Sequence, residues 1–157
     1  MNAPSTDDSI AAAPRSAFAF LHPLRVRWSE VDPQGIVFNP NYLVYFDVAA
    51  TEYWRALGYA YPEGFTRDGV DTFAKVARAE FHASAKFDDA LDIGVRTARL
   101  GRTSLRLLFG VFRGEDLLVD GEIVYVTADP AAQRPVPIPH RLRTAILAHE
   151  RVRPEGA

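Results

Sequence analysis

One long segment with helical periodicity, followed by a long run of strand-like alternation, leaves this chain few ways to build a core. In residues 40–57 (PNYLVYFDVAATEYWRAL), Tyr42, Tyr45, Phe46, Ala49, Tyr53 and Leu57 fall on one helical face. Asn39 suits the N-cap, Pro40 the first helical position, and Gly58 the stop just past the end. Such a helix is roughly 27 Å long. After the loop YAYPEGFTRDG the period changes to two. Ala77, Ala79, Phe81 and Ala83 alternate with Arg78, Glu80, His82 and Ser84. Leu91, Ile93 and Val95 alternate with Asp92, Gly94 and Arg96, while Leu105, Leu107, Phe109 and Val111 share a face, as do Val119, Ile123 and Tyr125.

Turn-rich breaks at FDDA (87–90), LGRT (100–103) and RGED (113–116) separate these runs, which predicts four strands in an antiparallel meander. A further strand is expected over 24–31 (LRVRWSEV), with Leu24, Val26 and Trp28 on one side. RPVPIP is extended and HRLRTAILAHE (140–150) is a short terminal helix. The class is therefore α+β, a long central helix wrapped by a curled antiparallel sheet of about five strands. Ala77, Ala79 and Ala83 are expected to let the sheet approach the helix closely. Exposed sheet edges predict a homodimer or homotetramer.

The chain of 157 residues has the size of one domain. Residues 1–20 are expected to be a disordered tail, 21–150 the domain, and 151–157 a C-terminal tail. The start has no basic region and carries Asp7 and Asp8, so a tail rather than a signal peptide is expected there. No apolar run approaches a membrane span, and the expected location is the cytoplasm. A formal charge of −2 does not favour nucleic acid. With no cysteine, disulfides, thiolate metal sites and a thiol nucleophile are excluded. His22, His82, His140 and His149 show no ligand spacing. Ser104 lacks a nucleophile elbow, and no phosphate-binding loop or dinucleotide fingerprint occurs. No cofactor or metal is expected.

Chemistry concentrates in VDPQGIVFNPNY, Val31 to Tyr42. Pro33 and Gly35 turn the chain sharply after Asp32 and bring that carboxylate toward the start of the helix. An Asp-Pro turn also has a plain structural role, its carboxylate bonding nearby amides. The whole stretch from Trp28 to Gly58, WSEVDPQGIVFNPNYLVYFDVAATEYWRALG, resembles the signature region of 4-hydroxybenzoyl-CoA thioesterase-like enzymes of the hotdog fold. FDDALDI (87–93), LGRTSLRL (100–107) and PVPIPHRLRTAI (135–146) extend the resemblance over roughly residues 22–147.

The resemblance implies hydrolysis of an acyl-CoA carrying an aromatic or short-to-medium acyl group, with Asp32 as nucleophile or general base. A thioester is activated enough for a carboxylate to suffice. The oxyanion would be met by the backbone amide of Asn39 or by amides just inside the helix. Losing one such donor typically costs roughly 3–4 kcal/mol. Where the pattern has Tyr, or His in some short-chain relatives, this chain has Asn39, which keeps the backbone donor but not a side-chain role. Trp28, Val37 and Tyr42 are candidate acyl contacts, and Gly35 shapes the turn. Arg102, with Thr103 and Ser104, is the first candidate for the CoA phosphates, ahead of Arg99, Arg141 and Arg143. Glu30 either raises the Asp32 pKa or pairs with an arginine. Asp47 and Glu52 lie off the apolar stripe and read as a solvated face. Alternatives are hydrolysis of an acyl carrier protein's thioester and a non-catalytic acyl-CoA-binding role. A dehydratase is disfavoured, because no His-containing motif sits where such enzymes carry one.

Overall fold

The apolar stripe of the predicted helix forms α1, Asn41–Ala56, which buries Tyr42, Tyr45, Phe46, Ala49, Ala50, Tyr53 and Trp54. The computed structural model describes residue 10 and residues 12–157. The helix begins at Asn41, one residue later than expected. Pro40 takes the N-cap place, and Asn39 makes no side-chain cap.

The strands are β1 (Phe20–Arg25), β2 (Asp71–Phe81), β3 (Ala90–Leu100), β4 (Ser104–Arg113), β5 (Asp116–Asp129) and the two-residue β6 (Arg134–Pro135). Two further helices are α2 (Glu63–Arg67) and α3 (His140–His149). All pairings are antiparallel, in the order β1-β3-β4-β5-β2, with β6 on β5. The expected four-strand meander is therefore three strands, β3-β4-β5. The first strand, β2, crosses to the far edge and pairs with β5 from Asp71↔Ala128 to Phe81↔Val119.

The expected strand over 24–31 stops at Arg25. Residues Trp28–Glu30 instead coil into a 3₁₀ turn, because the Glu30 carboxylate captures the Arg27 N–H and the Glu30 N–H returns to the Arg27 carbonyl. Trp28 consequently points to solvent while Val26 is buried.

Of the alanines expected to admit the helix, Ala77 and Ala83 are exposed, and Ala79 is half-buried against the core that α1 shares. Close approach occurs at Gly121 of β5. A Cβ there would fall 2.3 Å from the Phe46 ring, which stacks on Phe109 with centroids 4.5 Å apart. Helix and sheet thus share one core, in which Leu91, Ile93, Val95, Leu105, Leu107, Val111 and Val119 of the inner sheet face meet α1.

Residues 12–20, expected as tail, pack on the outer face. Arg15–Ala17 form a single 3₁₀ turn, and Phe18 is buried with its ring 5.8 Å from that of Phe112. Residues 1–9 and 11 lie outside the described residues. At the other terminus Glu155 bonds the backbone of Ala98 and Leu100, so 151–157 is not simply a tail.

Gly121→Ala should cost about 1–3 kcal/mol through overpacking against Phe46. Urea unfolding followed by tryptophan fluorescence measures it, and an unchanged midpoint would mean the helix sits further from β5.

Candidate active site

The turn after β1 is held at one end of the sheet by a small set of backbone bonds. The Val26 N–H donates to Asp89, and Val37 N–H to the Ala85 carbonyl. Within the turn, Asp32 N–H bonds Ile36 O at 2.9 Å, and Gly35 N–H bonds Asp32 O at 2.9 Å. Gly35 has φ +77°, a conformation that L side chains rarely adopt. Asp32 is half-buried. Its Oδ1 accepts the Gln34 N–H at 2.8 Å, and Oδ2 has no hydrogen bond among the described residues.

Glu30 fixes this turn to the helix. Its carbonyl accepts Phe38 N–H and the Asn41 side-chain amide, both at 2.9 Å. Its carboxylate accepts the Arg27 N–H at 2.8 Å, the Arg27 guanidinium, and the Tyr45 hydroxyl at 2.7 Å. Burial pushes the Glu30 carboxyl up, but these donors outweigh it and hold it below the ordinary carboxylate range. Of the two expectations for Glu30, the arginine pair is the one realised.

The first amides of α1 are consumed locally. Asn41, Tyr42 and Leu43 donate to the carbonyls of Phe38, Asn39 and Pro40. The Asn39 N–H has no acceptor among the described residues, which singles it out from the amides inside the helix.

A cleft of about 240 Å³ opens beside this turn. Ile36, Val37, Asn39 and Tyr42 form one side, and Phe81 to Ser84 the other. Val37 and Tyr42 are core residues. The Tyr42 hydroxyl accepts the Ala85 N–H at 3.0 Å, and burial raises its pKa. Trp28, 75% exposed, stands edge-on to Phe87 with centroids 5.3 Å apart. Phe38 and Phe81 are also largely exposed at this end of the sheet.

The basic candidates lie elsewhere. Arg102, Thr103 and Ser104 turn between β3 and β4, at the opposite end of the sheet. Ala90 at the Asp32 end and Leu100 at theirs are roughly 33 Å apart along β3. Arg102 is exposed, and neither its guanidinium nor that of Arg99 has a protein partner among the described residues. Arg143 is engaged with the Gly101 carbonyl at 2.5 Å, and Arg141 covers the Tyr59 ring at 4.8 Å beside Asp68.

Glu52 is paired with Arg55 at 3.1 Å. Asp47 faces a second groove with Thr51, Trp54, Tyr61, Thr72 and Tyr125, which sequence reasoning missed because its walls come from three separate elements. Burial, with help from Asp47, pushes the Tyr125 hydroxyl up to about 12.

A family model for the thioesterase superfamily matches residues 34–127, more than half of the chain. The chain belongs to the thioesterase superfamily. The acyl-CoA thioester hydrolase YbgC of Escherichia coli is 26% identical over 121 residues, covering 76% of this chain and 90% of YbgC. Among solved structures, a Pseudomonas aeruginosa protein matches with a TM-score of 0.78 at 27% identity, over 87% of this chain and 95% of its own. A gentisyl-coenzyme A thioesterase matches at 0.72 and 25% identity, over 79% and 99%. This thioesterase therefore has the hotdog fold, its curled sheet wrapped on α1.

Replacing Glu30 with Gln should lower the stability of the thioesterase by about 1.5–3 kcal/mol at neutral pH. Because the folded pKa is depressed, the ionised carboxylate contributes above the unfolded pKa, and that contribution is lost as pH falls through the folded value. The gap between wild type and Glu30→Gln should narrow on acidification in a urea-unfolding series. A gap that widens toward acid would contradict the assignment.

Proposed function

We propose that this thioesterase hydrolyses acyl-CoA to free acid and coenzyme A, with Asp32 initiating attack on the thioester carbonyl. The observation that carries this reading is the pairing, on one short turn, of a carboxylate oxygen without a partner and the unpaired Asn39 N–H. A thioester carbonyl entering the adjoining cleft would find a nucleophile or base and an oxyanion donor from the same loop. As nucleophile, the Asp32 carboxylate adds to the carbonyl carbon, the C–S bond breaks, and the thiolate of coenzyme A leaves and takes up a proton. Water then hydrolyses the mixed anhydride and regenerates the carboxylate. As general base, Asp32 takes the proton of the attacking water instead.

The small cleft, with the Tyr42 and Phe81 rings in its lining, favours an aromatic or short-to-medium acyl group. The names of the relatives, acyl-CoA for one and gentisyl-coenzyme A for another, support the carrier. No helix among the described residues is long and apolar enough to cross a membrane, and we place the reaction in the cytoplasm.

The distance between Asp32 and Arg102 finds an answer in the free edge of β2. This strand runs from the Arg102 end of the sheet, where Thr72 faces Thr127 and Thr127 N–H bonds Thr103 O, to the Asp32 end at Phe81. Antiparallel pairing of β2 with the same strand of a second copy sets the Asp32 end of each chain against the Arg102 end of the other. Half-exposed Phe73 and Phe81 on this edge would be covered by such a dimer. The phosphates of coenzyme A would then meet Arg102 supplied across the two-fold.

Asp32→Asn keeps the oxygen that accepts the Gln34 N–H, so it should fold normally while kcat falls by about 10²–10⁴. Free-thiol release from benzoyl-, phenylacetyl-, butyryl- and palmitoyl-CoA measures both activity and acyl preference. Near-wild-type turnover by this variant would remove Asp32 from the mechanism. Arg102→Ala should raise KM by about tenfold with kcat little changed, and the wild type should sediment as a dimer or a multiple of one. A monomer at micromolar concentration would leave the phosphate site without its second half.

A further inference from the structure

The outer face of the sheet carries charged rungs between β2 and β5. Arg78 opposes Glu122 and pairs with it at 3.4 Å, and Arg106 of β4 reaches the same carboxylate at 3.7 Å. The next outward rung sets Glu80 directly opposite Asp120, two carboxylates on facing positions, which destabilises a sheet. Asp120 is 2% exposed, and neither of its carboxylate oxygens makes a hydrogen bond among the described residues. A buried carboxylate left in this state is expensive. Burial drives its pKa up, and the neighbouring His82 only partly opposes that.

His82 follows Glu80 by two residues and stands beside the same rung. Its Nε2 lies 3.2 Å from Asp120 Oδ1, in ion-pair range but without hydrogen-bond alignment. One donor atom each from Glu80, His82 and Asp120 lie within 4.8 Å of one another. Donors on a tetrahedral zinc ion sit about 3.3 Å apart. The His82–Asp120 spacing already matches that value, and partly exposed Glu80 and His82 have room to close the remainder. The Glu80 carboxylate is oriented by the Ile10 N–H at 2.9 Å, the kind of outer hydrogen bond that positions metal ligands.

We infer that Glu80, His82 and Asp120 form a site for a divalent transition metal of the zinc class, clamping the end of β2 to β5. A divalent cation neutralises the facing carboxylates and gives the buried Asp120 oxygens, which have only the unaligned His82 contact, a directed bond. Three protein donors leave one position for water. No local spacing announces the site, because its third ligand comes from the neighbouring strand. His82 also lines the cleft beside Phe81, Ala83 and Ser84, so the ion would fix that wall in place. The site does not depend on Asp32 being catalytic.

The test uses the full chain, free of any affinity tag, stripped with chelator and then equilibrated with Zn²⁺ at micromolar concentration. Bound metal is measured by atomic absorption after gel filtration, and thermal unfolding is followed with and without Zn²⁺. The wild type should retain one zinc per chain and unfold at a higher temperature with it. Asp120→Asn and His82→Ala should each weaken binding about tenfold or more and lose the thermal shift. If Asp120→Asn does not fold, the partly exposed His82 still permits the comparison. Wild type that retains no zinc would reduce the cluster to a His82–Asp120 ion pair. Equal zinc in wild type and His82→Ala would place the metal elsewhere. Either result overturns the inference.

Discussion

The buried carboxylate of Glu30 is the interaction on which the geometry of this thioesterase turns. It ends β1 by drawing residues 28–30 into a coil, reaches Tyr45 on the inward face of α1, and through its own carbonyl holds Phe38 and Asn41. Those two residues bracket Asn39 and Pro40. One side chain and its backbone therefore set the spacing between the Asp32 turn and the start of the helix. A carboxylate can do this while buried because charge-assisted bonds offset its desolvation, and the downward shift of its pKa records that balance. The exposed Arg27 side contributes less than the buried Tyr45 bond, since water competes for the guanidinium but not for the hydroxyl.

The helix N-terminus takes part in an indirect way. An amide in the first turn of a helix is free to meet an anion only if no carbonyl claims it. Here the tight turns around Pro40 use the amides of Asn41, Tyr42 and Leu43, and the free N–H is displaced outward to Asn39. Two prolines in the turn remove further donors. Between Asp32 and the helix the amides of Ile36 and Asn39 have no acceptor among the described residues, and both residues line the cleft.

Much of this was legible in the chain. The helical stripe of Tyr42 to Tyr53 and the alternation of β3 and β4 survive in the fold because burial on one face dictates both periods. The Asp32 turn was legible from Pro33 and Gly35, whose backbone preferences are local. What escaped was set by tertiary context. Trp28 continues the alternation of Leu24 and Val26, yet the Glu30 carboxylate overrides it. Alternating alanines in and after β2 suggested close helix packing, but Ala77 on this edge strand and Ala83 just past its end stay exposed, and the closest approach falls at Gly121, opposite Ala79. Strand order cannot be read from alternation alone, so neither the separation of Arg102 from Asp32 nor the facing of Glu80 and Asp120 was visible before pairing was known.

Two of the three buried carboxylates among the described residues then stand in opposite states. Glu30 accepts from Arg27, from its backbone and from Tyr45, and its proton affinity falls. Asp120, buried at least as deeply, has an acid opposite, an imidazole beside it and no aligned donor, and its proton affinity rises. Packing does not explain the difference, because an apolar residue at position 120 would fill the space without the penalty. A fold that satisfies one acid so fully has no chemical need to strand another, and an acid left with open lone pairs on a rigid strand retains the capacity to bind a cation. The same contrast separates the two ends of β2. Toward Asp71 the strand offers ordinary edge amides for a partner strand, whereas toward Phe81 it carries Glu80 and His82 into a rung that strand pairing alone leaves electrostatically unbalanced.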